Sequence, residues 1–298
     1  MIELAKKEDT LEIYQLWKAI FKEDDGGYSD YFFANKFKPE HTLIIRKEQK
    51  IVATLYRNPH RITFHQQTIP TSMIMWVATM EQYRHLGYMK ALVEYALHLG
   101  NTQEMVTLIQ AYQPSLYTPF DFEMTYYNQR YHIIQSMPCD AYKIQVVSDT
   151  SKLKACYNEF MKEYEGYYNR DNKYFEDYLK EVEAQGGHLI EALSQNQCFA
   201  YLSYYEYDDY LKVDELIYEN QSVAKALIAQ IWKSNKQLYI EVPKAQDLSF
   251  LGTKTNQLIH NTMIRINDLN AFANLLGIKQ DEIKDYLKNS NLYLHECA

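Results

Sequence analysis

The chain has 298 residues, enough for about two domains. Its 47% hydrophobic and 23% charged residues exclude wholesale disorder, and only 9 glycines exclude a collagen-like or linker-rich design. With 31 Lys and Arg against 39 Asp and Glu the net charge is −8, which argues against binding nucleic acid and favours cationic or amine-bearing partners. The four cysteines, Cys139, Cys156, Cys198 and Cys297, form no C-x-x-C pair, and no charged segment followed by an apolar one stands near residue 1. A reduced, cytoplasmic protein is therefore expected. No apolar run approaches the ~18–20 residues of a spanning helix, and mean hydropathy is −0.47, so no membrane role is expected. The chain has 28 tyrosines, most densely set between Tyr157 and Tyr210, which read mainly as strand and interface residues with wet hydroxyls.

A strand over residues 2–5 leads to a helix capped by Asp9 or Thr10. Ile13, Leu16, Trp17, Ile20 and Phe21 recur in it at helical spacing, so one face is core. Asp24-Asp25-Gly26-Gly27 breaks the helix, and the residues up to Lys38 read as a loop with a short helix. Residues 42–46, 51–57, 61–65 and 72–79 read as an antiparallel meander with turns at 47–50 and at Pro59. The last of these strands ends in Met80-Glu81-Gln82-Tyr83-Arg84-His85-Leu86-Gly87, which opens onto a helix carrying Met89, Leu92, Val93 and Ala96 on one face. A strand over 105–110, a short helix started by Pro114 and a strand over 122–127 complete an α+β unit.

Backbone N–H groups at a helix N-terminus lack partners and carry the positive end of the dipole, so they bind phosphate when a ligand can approach. Arg84-His85-Leu86-Gly87 supplies such a turn. Gly87 permits close backbone approach, and Arg84 and His85 add side-chain donors. Taken alone, the pattern is a weak signal, because glycine and arginine at a helix start are common and a plain solvated cap accounts for them.

The strand, this turn and, about 25 residues further on, Leu116-Tyr117-Thr118-Pro119-Phe120-Asp121-Phe122-Glu123 together resemble the GNAT family of acyl-CoA-dependent N-acetyltransferases. The family's Q/R-x-x-G-x-G/A turn is matched at Arg84 and Gly87, with Met89 in place of a small residue. A main-chain N–H survives that change. The chain is more closely similar to the enhanced-intracellular-survival (Eis-like) branch, in which an active GNAT domain precedes a degenerate one and a sterol-carrier-like domain. Val77-Ala78-Thr79 stands where that branch has its pantetheine-binding strand end, and residues 117–122 match its Y-x-x-F-G-F/Y motif with Asp121 for glycine.

The resemblance implies acetyl-CoA as co-substrate and no metal. It implies that Val77, Ala78, Thr79, Arg84, His85, Leu86, Gly87, Tyr88 and Met89 bind the cofactor, with Tyr117 as general acid and the carboxylate of Ala298 as base. A phenol of pKa about 10 is a reasonable donor to a thiolate whose thiol lies near about 8.5. The branch forms hexamers, so a homo-oligomer is expected.

Residues 139–262 carry a net charge of −6, against −1 in each flanking segment. Aromatic and charged residues recur at helical spacing between Tyr157 and Lys180, and Gly186-Gly187 turns into a strand over 188–193. Strands over 198–207 and 212–218 flank an Asp208-Asp209 turn, and Ser222 caps a helix with Val223, Ala226, Leu227 and Ile231 on its face. This order repeats the first segment. The turn Glu219-Asn220-Gln221 has neither Arg nor Gly, so a phosphate cradle is absent there. Glu163-Tyr164-Glu165-Gly166 and Asp208-Asp209 are acidic clusters that suit either a cleft for a cationic amine or a solvated surface. Residues 263–268 and an apolar helix to Leu276 look like the opening of a sterol-carrier-like domain, too short to fold alone and so docked on another domain.

The expected architecture is α+β, with tandem GNAT folds of mostly antiparallel mixed sheets and flanking helices. Residues 1–138 form the acetyl-CoA-binding domain, 139–262 a degenerate copy, and 263–298 a short C-terminal segment. The expected activity is transfer of acetyl from acetyl-CoA to a primary amine on a small molecule or peptide, by direct attack in a ternary complex. The alternative is a non-catalytic CoA- or ligand-sensing or scaffold protein that keeps the fold. His60 and His65 have no metal-spaced partner, and no G-x-S-x-G or P-loop pattern supports a hydrolase or NTPase.

Overall fold

The computed structural model describes residues 1–22, 27–134, 142–195, 197–232 and 236–295. The Asp24-Asp25-Gly26 breaker, the boundary at Pro138, Cys139, Cys297 and the terminal Ala298 lie outside the described residues. The chain divides into two compact units, Met1–Thr125 with Asn261–Lys288, and Tyr126–His260 with Asn289–His295. The divisions at 125/126 and 260/261 fall inside strands and that at 288/289 inside the last helix, where a charge count carries no signal.

The first unit contains β1 (Ile2–Leu4), α1 (Thr10–Ile20), α2 (Tyr28–Asn35), β2 (Thr42–Lys47), β3 (Lys50–Phe64), β4 (Gln67–Thr79), α3 (Tyr88–Gly100) and β5 (Val106–Gln110). The chain then runs through β6 (Glu123–Ile133), β7 (Lys143–Val146), α4 (Leu153–Phe160), β8 (Tyr167–Tyr168), α5 (Asn172–Ala184), β9 (His188–Ser194), β10 (Gln197–Glu206), β11 (Tyr210–Tyr218), α6 (Gln221–Ile231) and β12 (Gln237–Pro243). It closes with β13 (Thr253–Ile266), α7 (Leu269–Leu276) and α8 (Ile283–Asn289).

In the first unit α1 begins where expected, but the Asp9 carboxylate does not cap it. It accepts the Lys6 N–H at 2.9 Å and pairs with Arg46. β1 to β4 are antiparallel neighbours, joined in the meander by the two-residue turns Glu48-Gln49 and His65-Gln66. All four turn residues have positive φ, the backbone that matches the right-handed twist of the flanking strands. The expected turn at Pro59 does not form: β3 runs straight through it, with Pro59 opposite Ser72. β2 ends opposite Tyr56, so the missing N–H of Pro59 interrupts no ladder with β2. After α3 crosses over, β5 lies parallel to β4, and the end of β13 pairs antiparallel with the other edge of β5.

Alternation along the strands sends Leu43, Leu55, Ile74 and Ile109 to one face, under Leu92 and Val93 of α3. Ile44, Ile51 and Tyr56 go to the other, under Ile13 and Trp17 of α1 and Phe32 of α2.

The second unit repeats this order. β9, β10 and β11 form an antiparallel meander, α6 crosses over, and β12 lies parallel to β11. β7 pairs antiparallel with β9, and β6 with β12. The helical spacing between Tyr157 and Lys180 resolves into two helices, α4 and α5, interrupted around Gly166 at φ 63. Asn220, not Ser222, caps α6: its side chain accepts the Val223 N–H at 3.1 Å. The residue just outside the helix is the one whose side chain reaches back to a first-turn amide.

The tyrosines of this unit divide: many are half-buried, as expected of strand residues with reachable hydroxyls, but some lie in the core. Tyr157, Tyr168, Tyr201 and Tyr293 are fully buried. Among them Arg170, with no exposure, forks onto Glu215 at 3.0 and 2.8 Å and sits 4.2 Å from the Tyr157 ring. No described helix is long and apolar enough to cross a membrane.

Candidate active site

Met75 of β4 lies opposite Tyr56 and Ala78 opposite Thr54, so Trp76 and Val77 together oppose the single residue Leu55. This bulge holds Trp76 at φ 52. The extra residue resets the alternation. Ile74 and Val77 pack on the α3 side of the sheet, whereas Met75, Trp76 and Ala78 all join the cluster under α1 and α2. The parallel ladder with β5 consists of Met73–Leu108 and Ile74–Ile109 and stops before the bulge. Val77, Ala78 and Thr79 thus lie beyond its end, on an edge where an extended ligand can pair as an added strand. The Trp76 indole stacks on Trp17, centroids 4.8 Å apart, and its buried N–H has no acceptor among the described residues.

Past Thr79, whose carbonyl accepts from Arg84 Nε at 3.4 Å, His85 takes φ 64 and Gly87 φ 82. Gly87 occupies the N-cap position of α3, and no side chain caps that helix. The first N–H groups of α3 are therefore left for an outside acceptor. A Cβ at Gly87 would meet nothing within 4 Å, so glycine is needed there for its backbone conformation and not for space. Arg84, His85 and Leu86 are exposed, and Tyr88 and Met89 half-buried. Lys47, which sequence reasoning missed, holds its Nζ 5.6 Å from the Tyr88 ring. It comes from the β2–β3 hairpin, remote in sequence from the turn, and only the fold brings it there.

Tyr117 follows a 3-10 turn over Pro114–Leu116. Only 8% exposed, it meets the Phe122 ring edge to face and belongs to the cluster that holds Ile74, Leu92, Ile109 and Met263, which Val77, Tyr88 and Met89 also join. Its hydroxyl makes no hydrogen bond among the described residues, and burial alone pushes it up to about 12. Asp121, in the position of the motif's glycine, takes φ 64 and ψ 22. Aspartate is one of the few residues that adopt this left-handed backbone readily.

The fold thus brings Val77, Tyr88, Met89 and Tyr117 to one cluster, with Arg84 to Gly87 at its exposed end; Ala78 turns to the opposite face and Ala298 lies outside the described residues. Apart from the hairpin turns at 48–49, 65–66 and 195, the described non-glycine residues with positive φ are Trp76, His85 and Asp121, one in each of the three stretches. Of the acidic clusters, Glu163, Asp208 and Asp209 are exposed, and the backbone of Glu165 bonds to Asn291 and Tyr293. No group of described residues could hold a metal ion.

Residues 1–125 match the family described as an acetyltransferase (GNAT) domain. No curated protein matches the chain. Among solved structures, the chain is similar to a conserved protein of unknown function from Enterococcus faecalis, described as a probable N-acyltransferase. The TM-score is 0.79 at 17% identity, over 91% of this chain and 73% of that one. It is also similar to Eis1 from Mycobacterium abscessus, with TM-score 0.70 and 14% identity over 92% and 76%. Saccharomyces cerevisiae N-myristoyltransferase with bound myristoyl-CoA gives 0.59 at 10% identity over 89% and 81%. The shared property is the fold: a mixed α+β architecture with flanking helices, as in GNAT-type acetyltransferase structures.

Proposed function

We propose that the chain is an N-acyltransferase that carries the acetyl group of acetyl-CoA to a primary amine by direct attack in a ternary complex. The observation that carries this reading is that, among the described residues, those with a side chain and positive φ fall, hairpin turns aside, in the β4 bulge, the α3 turn and the Tyr117 loop. Such conformations cost on the order of 1–3 kcal/mol each and persist where the surroundings hold a working geometry. In this reading the β4 edge at Val77, Ala78 and Thr79 pairs with the pantetheine arm. The first N–H groups of α3, from Tyr88 and Met89, receive the pyrophosphate, with Arg84, His85 and Lys47 as cationic or hydrogen-bonding partners.

When the amine attacks the thioester carbon, the carbon–sulfur bond of the tetrahedral intermediate must break and its electron pair leaves on the sulfur as a thiolate, best expelled when a nearby O–H donates to it. Tyr117 supplies the O–H. At about 12 the phenol is a weaker acid than a thiol near about 8.5, so its chief contribution is a hydrogen bond to the sulfur as charge builds there. The base, by likeness to the Eis-like branch, is the carboxylate of Ala298. The net charge of −8 suits a cationic acceptor, small molecule or peptide.

Calorimetric titration of acetyl-CoA into the wild type and a Gly87→Glu variant tests the site. Micromolar binding lost in the variant is expected, because glutamate puts a carboxylate where the pyrophosphate sits. A panel of aminoglycoside, polyamine, peptide and lysine amines, read by release of free thiol, then tests the reaction. A wild type that binds no acetyl-CoA overturns the proposal. Binding without thiol release favours the ligand-sensing alternative.

A further inference from the structure

Residues 262–266 return to the first unit as the end of β13, Thr262 opposite Gln110 and Ile266 opposite Val106 of β5. One of their side chains shares a cluster with Tyr117 and another bonds its loop. Met263 packs in the cluster that holds the Tyr117 ring. Arg265 Nε donates to the carbonyl of Phe120 at 3.0 Å.

That second contact stands out against the rest of the loop. Leu116 N–H bonds Gln113 O, Tyr117 N–H bonds Pro114 O, Phe120 N–H bonds Tyr117 O, Asp121 N–H bonds Thr118 O, and the Thr118 hydroxyl bonds Pro114 O. All of these are local. For residues 113–121 the Arg265 bond is the hydrogen bond that comes from outside the loop, among the described residues. The guanidinium is itself held in place. Its Nη1 donates to Asn101 Oδ1 at 3.1 Å and to Asn267 Oδ1, and the Asn267 amide donates to Glu104 O at 3.1 Å and Thr107 Oγ1 at 2.9 Å. Asp121, next to Phe120, adds an opposite charge. A planar fork fixed at its end and bonded through Nε defines the position of the acceptor carbonyl more tightly than a lysine could.

We propose that Arg265 is a positioning residue: through the Phe120 carbonyl, the returning C-terminal segment sets where the Tyr117 hydroxyl points. The inference rests on the acyltransferase reading, in which that hydroxyl meets the leaving sulfur. A hydroxyl with no hydrogen bond of its own is located by ring packing and by its backbone, so a loop that shifts carries it away from the sulfur.

The test compares wild type, Arg265→Met, Tyr117→Phe and the double variant, with acetyl-CoA as donor and the amine panel as acceptors. Arg265→Met keeps an apolar stem and removes the donors. It should lower kcat by about tenfold or more, leave KM for acetyl-CoA unchanged, and speed amide hydrogen exchange over residues 113–121. In the Tyr117→Phe background it should lower kcat no further. Unchanged kcat, a raised KM with kcat kept, or losses that multiply in the double variant would each overturn the role. Should the methionine variant fail to fold, Arg265→Lys keeps the charge without the fork and must give the same split of kcat from KM. A wild type that binds acetyl-CoA yet transfers to no amine is seen before any variant is made, and it sinks the acyltransferase reading itself.

Discussion

The two units build the same sequence of elements and finish it differently at the same place. In the first, β4 runs through a bulge, eight residues lead from Thr79 to the start of α3, and no side chain caps that helix. In the second, only Glu219 and Asn220 separate β11 from α6, and the Asn220 side chain takes the Val223 N–H. The strand edges differ as well. β11 pairs with β12 from Tyr210 to Val213, and further along, the Leu216 carbonyl accepts the buried Gln246 amide at 2.7 Å. The corresponding stretch of β4, past Ile74, has no ladder with β5. The same order of elements can leave a helix start and a strand edge without partners in one unit and supply both with hydrogen bonds in the other. What separates an open copy from a closed one is the use of a few backbone groups.

The largest expected effect falls on the closed copy. Arg170→Met leaves Glu215 buried without its cation and should lower stability by about 3–5 kcal/mol, read by chemical denaturation. A loss under about 1 kcal/mol would mean that the pair adds little to this unit. Next, Tyr117→Phe should reduce kcat by about 100-fold with acetyl-CoA binding kept, and unchanged turnover would remove the phenol from the reaction.

The same group fixes a pH expectation. The protonated phenol is the donor, and with its pKa raised to about 12 it stays protonated from neutral pH well into the alkaline range. A profile of kcat should therefore show no fall near about 10, the ordinary tyrosine value. A fall there that disappears in Tyr117→Phe would mean that the bound site lowers the phenol.

Gln246→Leu removes the bond to the Leu216 carbonyl and should cost about 1–3 kcal/mol. If that variant gained a second acetyl-CoA site by calorimetry, one side chain would account for the closed edge. Smallest of all, Asn220→Ala should cost about 1 kcal/mol through the lost cap and leave acetyl-CoA titration unchanged.

Much of this contrast is legible in the residues. Gly87 and the apolar spacing after it mark an open helix start, and the absence of Gly and Arg around Asn220 marks a closed one. Asp121 reads only as a departure from the motif's glycine, and the fold shows that it keeps a left-handed backbone there. Other features depend on register and are invisible to spacing. The Trp76 bulge is a place where two residues of β4 oppose one of β3, and Pro59 lies in β3 past the last residue that pairs with β2. Arg170 reads as one more surface charge until the fold surrounds it with tyrosines and Glu215. Lys47 and Arg265 are brought to the site from a hairpin and from the far end of the chain, and no local pattern contains them.

Because β13 supplies the last strand beside β5, the order of synthesis matters. The first 125 residues leave the ribosome with one edge of β5 bare and with neither Met263 nor Arg265 present to hold the Tyr117 loop. At about 5–20 residues per second, the whole second unit must be translated first, a delay on the order of ten seconds. Throughout that interval the nascent chain presents an unpaired strand edge, the kind of surface that recruits other chains. A chaperone that shields the nascent N-terminal unit would therefore raise the yield of the full-length protein.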